Sequence, residues 1–116
     1  MIVDDDEAFL NAAQALLELE RDGVTVAGVA GSSAEAVERV RALRPDVVLI
    51  DIRLGRESGF DAASQLAGNG QSAALIMIST HLGADYADLI AESPAIGFLP
   101  KAELSAAAIR RIVAAD

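Results

Sequence analysis

Runs of Val, Ile and Leu alternate along this chain with segments whose apolar residues recur at helical spacing. Five such pairs occur in all, the pattern of an α/β domain built on a parallel sheet. The first run is short, residues 1 to 4, and leads into Phe9, Leu10, Ala13, Leu16 and Leu17 on one stripe of a helix. That helix is expected to run to Arg21 and to end at Asp22-Gly23. Val24 to Ala30 reads as the second strand. Ser32, with Glu35 three residues later, makes a capping box that opens a helix with Ala36, Val37, Val40 and Leu43 inward. Pro45 closes it, because the residue before a proline is pushed out of the helical region. Asp46 to Ile52 is the third strand, and Val47 to Ile50 is apolar without alternation, as in a central parallel strand covered on both faces.

A loop from Arg53 to Gly59 leads into a helix carrying Phe60, Ala63 and Leu66, ended by Gly68-Asn69-Gly70. Ala74 to Ser79 is the fourth strand. A weaker helix from about Ala84 to Glu92 has Tyr86, Leu89 and Ile90 as its apolar positions and Pro94 beyond its end. Ile96 to Leu99 is the fifth strand, and Leu104, Ala108, Ile109, Ile112 and Val113 mark a final amphipathic helix.

Composition narrows the picture. At 116 residues the chain is expected to form one domain, 1–116. No apolar stretch approaches the roughly 20 residues that span a bilayer, so no membrane partner is expected. Acidic residues follow Met1-Ile2-Val3 at once and cysteine is absent, which leaves no signal-peptide pattern or disulfide framework and makes a cytoplasmic location the expectation. The net charge of −9 lacks the electrostatic footprint of a nucleic-acid binder. The first strand is short by a few residues, which suggests a trimmed start.

The chemistry lies at the downstream ends of the strands. Asp4 and Asp5 end the first, Asp51 the third, Ser79 and Thr80 the fourth, and Lys101 follows the fifth. In a parallel sheet those ends share one edge, so the residues converge into one crevice. Two carboxylates about 5 Å apart repel by roughly 3 kcal/mol at an effective dielectric of 20, so three together call for a cation. Oxygen-only ligands point to a hard ion, and magnesium suits carboxylates, waters and phosphate oxygens. A carboxylate that also faces a phosphoryl donor can act as a nucleophile, and Asp51 is the best placed.

Ile2-Val3-Asp4-Asp5-Asp6-Glu7, Val47 to Leu54 around Asp51, Ser58-Gly59, Ile78-Ser79-Thr80 and Gly97-Phe98-Leu99-Pro100-Lys101 together resemble the receiver domain of two-component response regulators, over residues 2 to 115. Each motif is weak alone. Their order is specific, with separations of 46 from Asp5 to Asp51, 28 on to Ser79 and 22 on to Lys101. The resemblance implies a single doubly wound, flavodoxin-like, five-stranded parallel sheet of order 2-1-3-4-5 with helices on both faces. It implies that Asp51 accepts a phosphoryl group from a sensor histidine kinase. Mg2+ would be held by Asp5, Asp51 and the Arg53 carbonyl, with Asp4 acting through water. Lys101, the Ser79 hydroxyl and the Thr80 N–H would hold the phosphoryl oxygens. It further implies a switch through Ser79 and Phe98 that reshapes the face of helix four, strand five and helix five. Asp85, Asp88, Glu92, Arg110 and Arg111 are that face's polar candidates, for an output domain or a homodimer. The domain would be an acceptor with self-catalysed transfer and autodephosphorylation, not a metabolic enzyme.

Some positions depart from the family. Pro100 precedes the lysine and Ala102 follows it, where the family usually has Lys-Pro with a cis bond; a cis bond before Ala102 would cost ~3 kcal/mol, so that loop is expected to differ. Gly55 stands where proline is usual, which loosens its loop. Ser79 replaces the commoner threonine, and Arg53 and His81 occupy positions that tune access of water to the acyl phosphate.

Taken singly, each residue has an ordinary reading. Asp4-Asp5-Asp6 can be acids at a helix N-terminus; Asp51 a turn residue, Ser79 and Thr80 strand-end hydrogen bonders; Lys101 a solvated charge, Phe98 a core aromatic and His81 a loop residue. Two other functions compete. One is a receiver-like interaction module independent of phosphorylation, favoured by the altered order at Pro100. The other is a phosphohydrolase with Asp51 as nucleophile, disfavoured by Arg53 where a second acid is expected.

Overall fold

A computed structural model describes residues 1–19, 23–81 and 83–116. The central sheet has five parallel strands in the order β2-β1-β3-β6-β7, formed by β1 (Ile2–Val3), β2 (Val29–Ala30), β3 (Val47–Asp51), β6 (Ala74–Ser79) and β7 (Gly97–Pro100). Between β3 and β6, β4 (Arg53–Leu54) and β5 (Glu57–Ser58) form a small antiparallel hairpin of their own. Set aside that hairpin and the order is the expected 2-1-3-4-5.

Successive residues of each strand enter opposite cores, as the two-residue side-chain period requires. Val3, Val48, Ile50, Leu75 and Met77 pack with Ala36 and Val40 of α2 (Ser33–Leu43) and Ala62, Ala63 and Leu66 of α3 (Gly59–Gly68). Ile2, Leu49, Ile76 and Ile78 pack on the other face with Leu10, Ala13 and Leu17 of α1 (Glu7–Leu19) and Ile109 of α5 (Ala106–Ala115). A sheet apolar on both faces therefore accounts for the unalternated run in β3.

Several expectations change. The second strand was expected over 24–30, but only Val29 and Ala30 are register partners of β1, with Gly28 O also accepting from Ile2 N at 3.2 Å. Arg21 and Asp22, the expected end of the first helix, lie outside the described residues. Ser32 Oγ accepts from Glu35 N at 3.2 Å as a capping box requires, while the Glu35 carboxylate accepts from Gly31 N instead of Ser32 N. Leu43, expected inward, ends α2 and is exposed. The fourth helix begins as a 3-10 turn, Gly83–Tyr86, before α4 (Ala87–Glu92), and Leu89 is 51% exposed instead of buried. Leu104 is buried ahead of α5, and Val113 is exposed near its end.

At Gly55 the chain makes a tight turn. Gly55 has φ +60°, and with Arg56 it forms the two-residue connection of the β4–β5 hairpin, where glycine at the first central position suits the turn. The reversal needs positive φ, which proline cannot supply.

Candidate functional site: an acidic crevice at the strand ends

The ends of β1, β3, β6 and the turn after β7 meet at one edge of the sheet, so Asp4, Asp51, Ser79 and Lys101 are neighbours despite their separation in sequence. Asp4 is fully buried just past β1, with its N–H donating to Ala30 O at 2.9 Å. Asp4 Oδ1 accepts from Asp6 N at 3.0 Å, and Oδ2 forms an ion pair with Lys101 Nζ at 2.7 Å whose angle falls short of a good hydrogen bond. Asp51 is buried at the end of β3; its Oδ2 accepts from Lys101 Nζ at 3.1 Å and its Oδ1 from Arg53 N at 3.3 Å. Asp5 is exposed beside them.

Asp4, Asp5 and Asp51 each present a carboxylate oxygen, and these oxygens lie within 4.8 Å of one another. Among the described residues this is the acidic group whose geometry could hold a metal ion. The donor set is oxygen only, which fits a hard divalent cation. Three carboxylates against one ammonium leave excess negative charge in a half-closed site, and a cation there would offset it.

The electrostatics follow from burial and crowding. Burial first, and the Asp4 carboxylate second, push the Asp51 carboxyl above the usual range, with Lys101 and the Arg53 N–H opposing them. Burial would lower Lys101, but the close contacts and charges of Asp4 and Asp51 prevail and hold it above the ordinary lysine value. Lys101 reaches both acids although Ala102 follows it. There is no cis peptide among the described residues, and Lys101 opens a 3-10 turn, Lys101–Glu103, closed by Leu104 N donating to Lys101 O at 3.3 Å.

Other expected residues are nearby but differently engaged. Ser79 is buried at the end of β6, where its Oγ accepts from His81 N at 3.1 Å. Thr80 is exposed just beyond, and the Arg53 side chain points to solvent while its N–H serves Asp51. Phe98 is half-buried in β7 and packs, with Tyr86, on the core shared with α2 and α3. Asp85, Asp88, Glu92, Arg110 and Arg111 are all exposed. For Asp6 the plain reading holds: its Oδ1 accepts from Ala8 N and Phe9 N and caps α1.

Three contributors were not read as part of the site from the sequence. Glu57 ties the hairpin to the start of α2, accepting from Ser33 N at 3.2 Å and from the Ser33 hydroxyl, and these bonds lower its carboxyl from the ordinary value. Phe9 places its ring 4.3 Å from Lys101 Nζ. Gly59 was visible only as a motif glycine. A Cβ on it would stand 1.9 Å from Asp51 O, so α3 can begin against the end of β3 only without a side chain there. A cleft of about 540 Å³ between Leu17, Val24, Val26, Leu43, Ile109 and Val113 lies away from the carboxylates.

The family model for the response regulator receiver domain matches residues 1–114. The chain belongs to that family. PdtaR of Mycobacterium tuberculosis, a transcriptional regulatory protein, is 29% identical over 101 residues, covering 87% of this chain and 48% of that protein. YvfU of Bacillus subtilis, an uncharacterized transcriptional regulatory protein, is 34% identical over 100 residues, covering 86% and 50%. The chain thus spans about half the length of these relatives. The crystal structure of a two-component response regulator of the LuxR family from Aurantimonas superposes with a TM-score of 0.85 at 28% identity, covering 99% of this chain and 84% of that one. The receiver domain is a two-component signalling module on a flavodoxin-like sheet, and the sheet order described above agrees with it. No helix among the described residues is long and apolar enough to cross a membrane.

Proposed function

We propose that this domain, residues 1–116, takes a phosphoryl group from a phosphohistidine of a sensor histidine kinase onto Asp51. The observation that carries the reading is the contact of Lys101 Nζ with both Asp51 and Asp4, 3.1 and 2.7 Å, beside the three-carboxylate cluster. An Asp51 carboxylate oxygen forms the new bond to phosphorus, the phosphorus–nitrogen bond breaks, and the leaving imidazole nitrogen keeps the electron pair and takes a proton. Asp5, Asp51 and the Arg53 carbonyl would hold Mg2+, with Asp4 acting through a water. The ion supplies charge neutralisation for the phosphoryl oxygens.

The chain's own residues do the rest. Lys101 is held where a phosphoryl oxygen on Asp51 would meet an ammonium. The Ser79 hydroxyl, which accepts from His81 N, has its own proton to donate to a second oxygen, and the Thr80 N–H serves a third. Movement of Ser79 toward the phosphoryl group frees Phe98 to rotate inward and alters the face of α4, β7 and α5, where an output domain or a second copy would dock. Two ordered packings differing by a few kcal/mol suffice for such a switch. The domain then makes no direct contact with nucleic acid. It works in the cytoplasm beside the kinase, and its catalysis is confined to its own phosphorylation and dephosphorylation.

The altered order around Pro100, which favoured a module independent of phosphorylation, does not keep Lys101 from the acids. The test is intact mass after incubation with acetyl phosphate and magnesium, beside Asp51→Asn and a metal-free control. One added phosphoryl group that needs both Asp51 and the metal is the expected result. No gain in the wild type would return the phosphorylation-independent module to the front.

A further inference from the structure

Phe9 stands in the first turn of α1 because Asp6 caps that turn, accepting from Ala8 N at 3.0 Å and Phe9 N at 3.3 Å. Its ring is half-buried, packed on the core between the sheet and α1 and α5. The ring also meets a charge: Lys101 Nζ lies 4.3 Å from its centroid while pairing with Asp4 and Asp51. The ammonium therefore has neighbours from three elements: the end of β1, the end of β3 and the first turn of α1.

The stem of Lys101 is a flexible four-carbon chain springing from a 3-10 turn that has no side-chain cap. The backbone alone leaves the ammonium free to swing, so its tip contacts decide where it rests. Asp4 and Asp51 supply attraction. An aromatic face adds a directional contact through its quadrupole and shields the ammonium from water, and such contacts strengthen as the cation is desolvated. The Lys101 side chain is only 12% exposed, which places it toward the desolvated end of that range.

We propose that Phe9 is a positioning residue for Lys101: its ring face holds the ammonium beside Asp51, so the cation is already in place when a phosphoryl group arrives. The inference rests on the reading of Asp51 as acceptor and adds to it a residue of α1 that acts through the lysine. A merely structural Phe9 would fill volume in the core, and any apolar side chain of similar size would do as well.

The variants Phe9→Leu and Phe9→Tyr separate the two roles, since the first keeps apolar volume and the second keeps the ring face. NMR of the Lys101 ε-methylene protons reads the contact without any phosphorylation. The ring current is expected to shift them upfield in the wild type and in Phe9→Tyr, and not in Phe9→Leu. The phosphorylation rate from acetyl phosphate with magnesium should fall about fivefold in Phe9→Leu and recover in Phe9→Tyr. Should Phe9→Leu melt below the assay temperature, Phe9→Met takes its place.

Unshifted ε-protons in the wild type would overturn the proposal. So would a Phe9→Leu protein phosphorylated at the wild-type rate. If the wild type accepts no phosphoryl group while the upfield shift is present and lost in Phe9→Leu, it is the assignment of Asp51 that fails, and the Phe9–Lys101 contact stands.

Discussion

The two helices that flank β6 in sequence differ in how they are held. α3 starts on a Ser58 cap, buries Gly59, Ala62, Ala63 and Leu66, and abuts the backbone of Asp51. α4 has six residues, no side-chain cap hydrogen bond and no buried residue. The acid-bearing side is thus anchored by close backbone packing, while the helix beyond Ser79 rests on partial contacts through neighbours such as Tyr86. Local opening costs least where few apolar contacts are buried. A site that must hold carboxylates in register belongs on the first kind of support, and a face that responds to the site belongs on the second.

The sharpest way to break this contrast is Gly59→Ala. Its new methyl group would meet the Asp51 and Ile52 backbone at 1.9 to 2.9 Å, and neither strand nor helix can give way cheaply. A loss of about 3–4 kcal/mol in urea unfolding is expected. Gly68→Ala, at the other end of the same helix with open space around it, should gain about 0.5 kcal/mol and serves as the control.

Lys101→Met comes next. It leaves Asp4 and Asp51 without their ammonium, and a loss of about 3 kcal/mol is expected, partly restored by millimolar magnesium in the same unfolding assay.

Asp51→Asn should act in the opposite direction. The Asp51 carboxyl is raised in the folded state, so the unfolded chain releases that proton more readily. Stability from this group therefore falls as pH rises from the ordinary carboxylate value through the raised one. Removing the charge should raise stability by about 1 kcal/mol near pH 7, and thermal melts at pH 7 should show a larger gain over wild type than melts at pH 4.

The smallest effect belongs to α4. Leu89→Ala, at a side chain 51% exposed, should change stability by less than about 0.5 kcal/mol. Amide exchange should sharpen the contrast, with α4 amides exchanging faster than those of α3. Equal protection in the two helices would refute the anchoring difference.

Much of this was legible in the residues. Strand runs ending in Asp4, Asp51, Ser79 and just before Lys101 placed the crevice correctly, because a parallel sheet brings those ends to one edge whatever the side chains do next. The Ala74–Ser79 strand and the Ser32 cap also stand as read. Less visible were features that depend on a distant partner. Val24 to Ala27 has strand-like composition yet lies outside the sheet, whose edge there ends at the bond from Ile2 N to Gly28 O, 3.2 Å. Leu89 has the right helical spacing, but α4 is too short and too far out for its stripe to reach the core.

Fold class, the order of the chemical residues and their shared edge follow from local periodicity and chain topology, which are properties of neighbouring residues. The β4–β5 hairpin turning on Gly55, the Glu57 tie to Ser33, the ring of Phe9 over Lys101 and the close approach at Gly59 came only with the packed chain. The Glu57 tie and the Phe9–Lys101 contact depend on distances between residues far apart in sequence. Such distances are set when two cores close on both faces of one sheet, and no local pattern of residues encodes them.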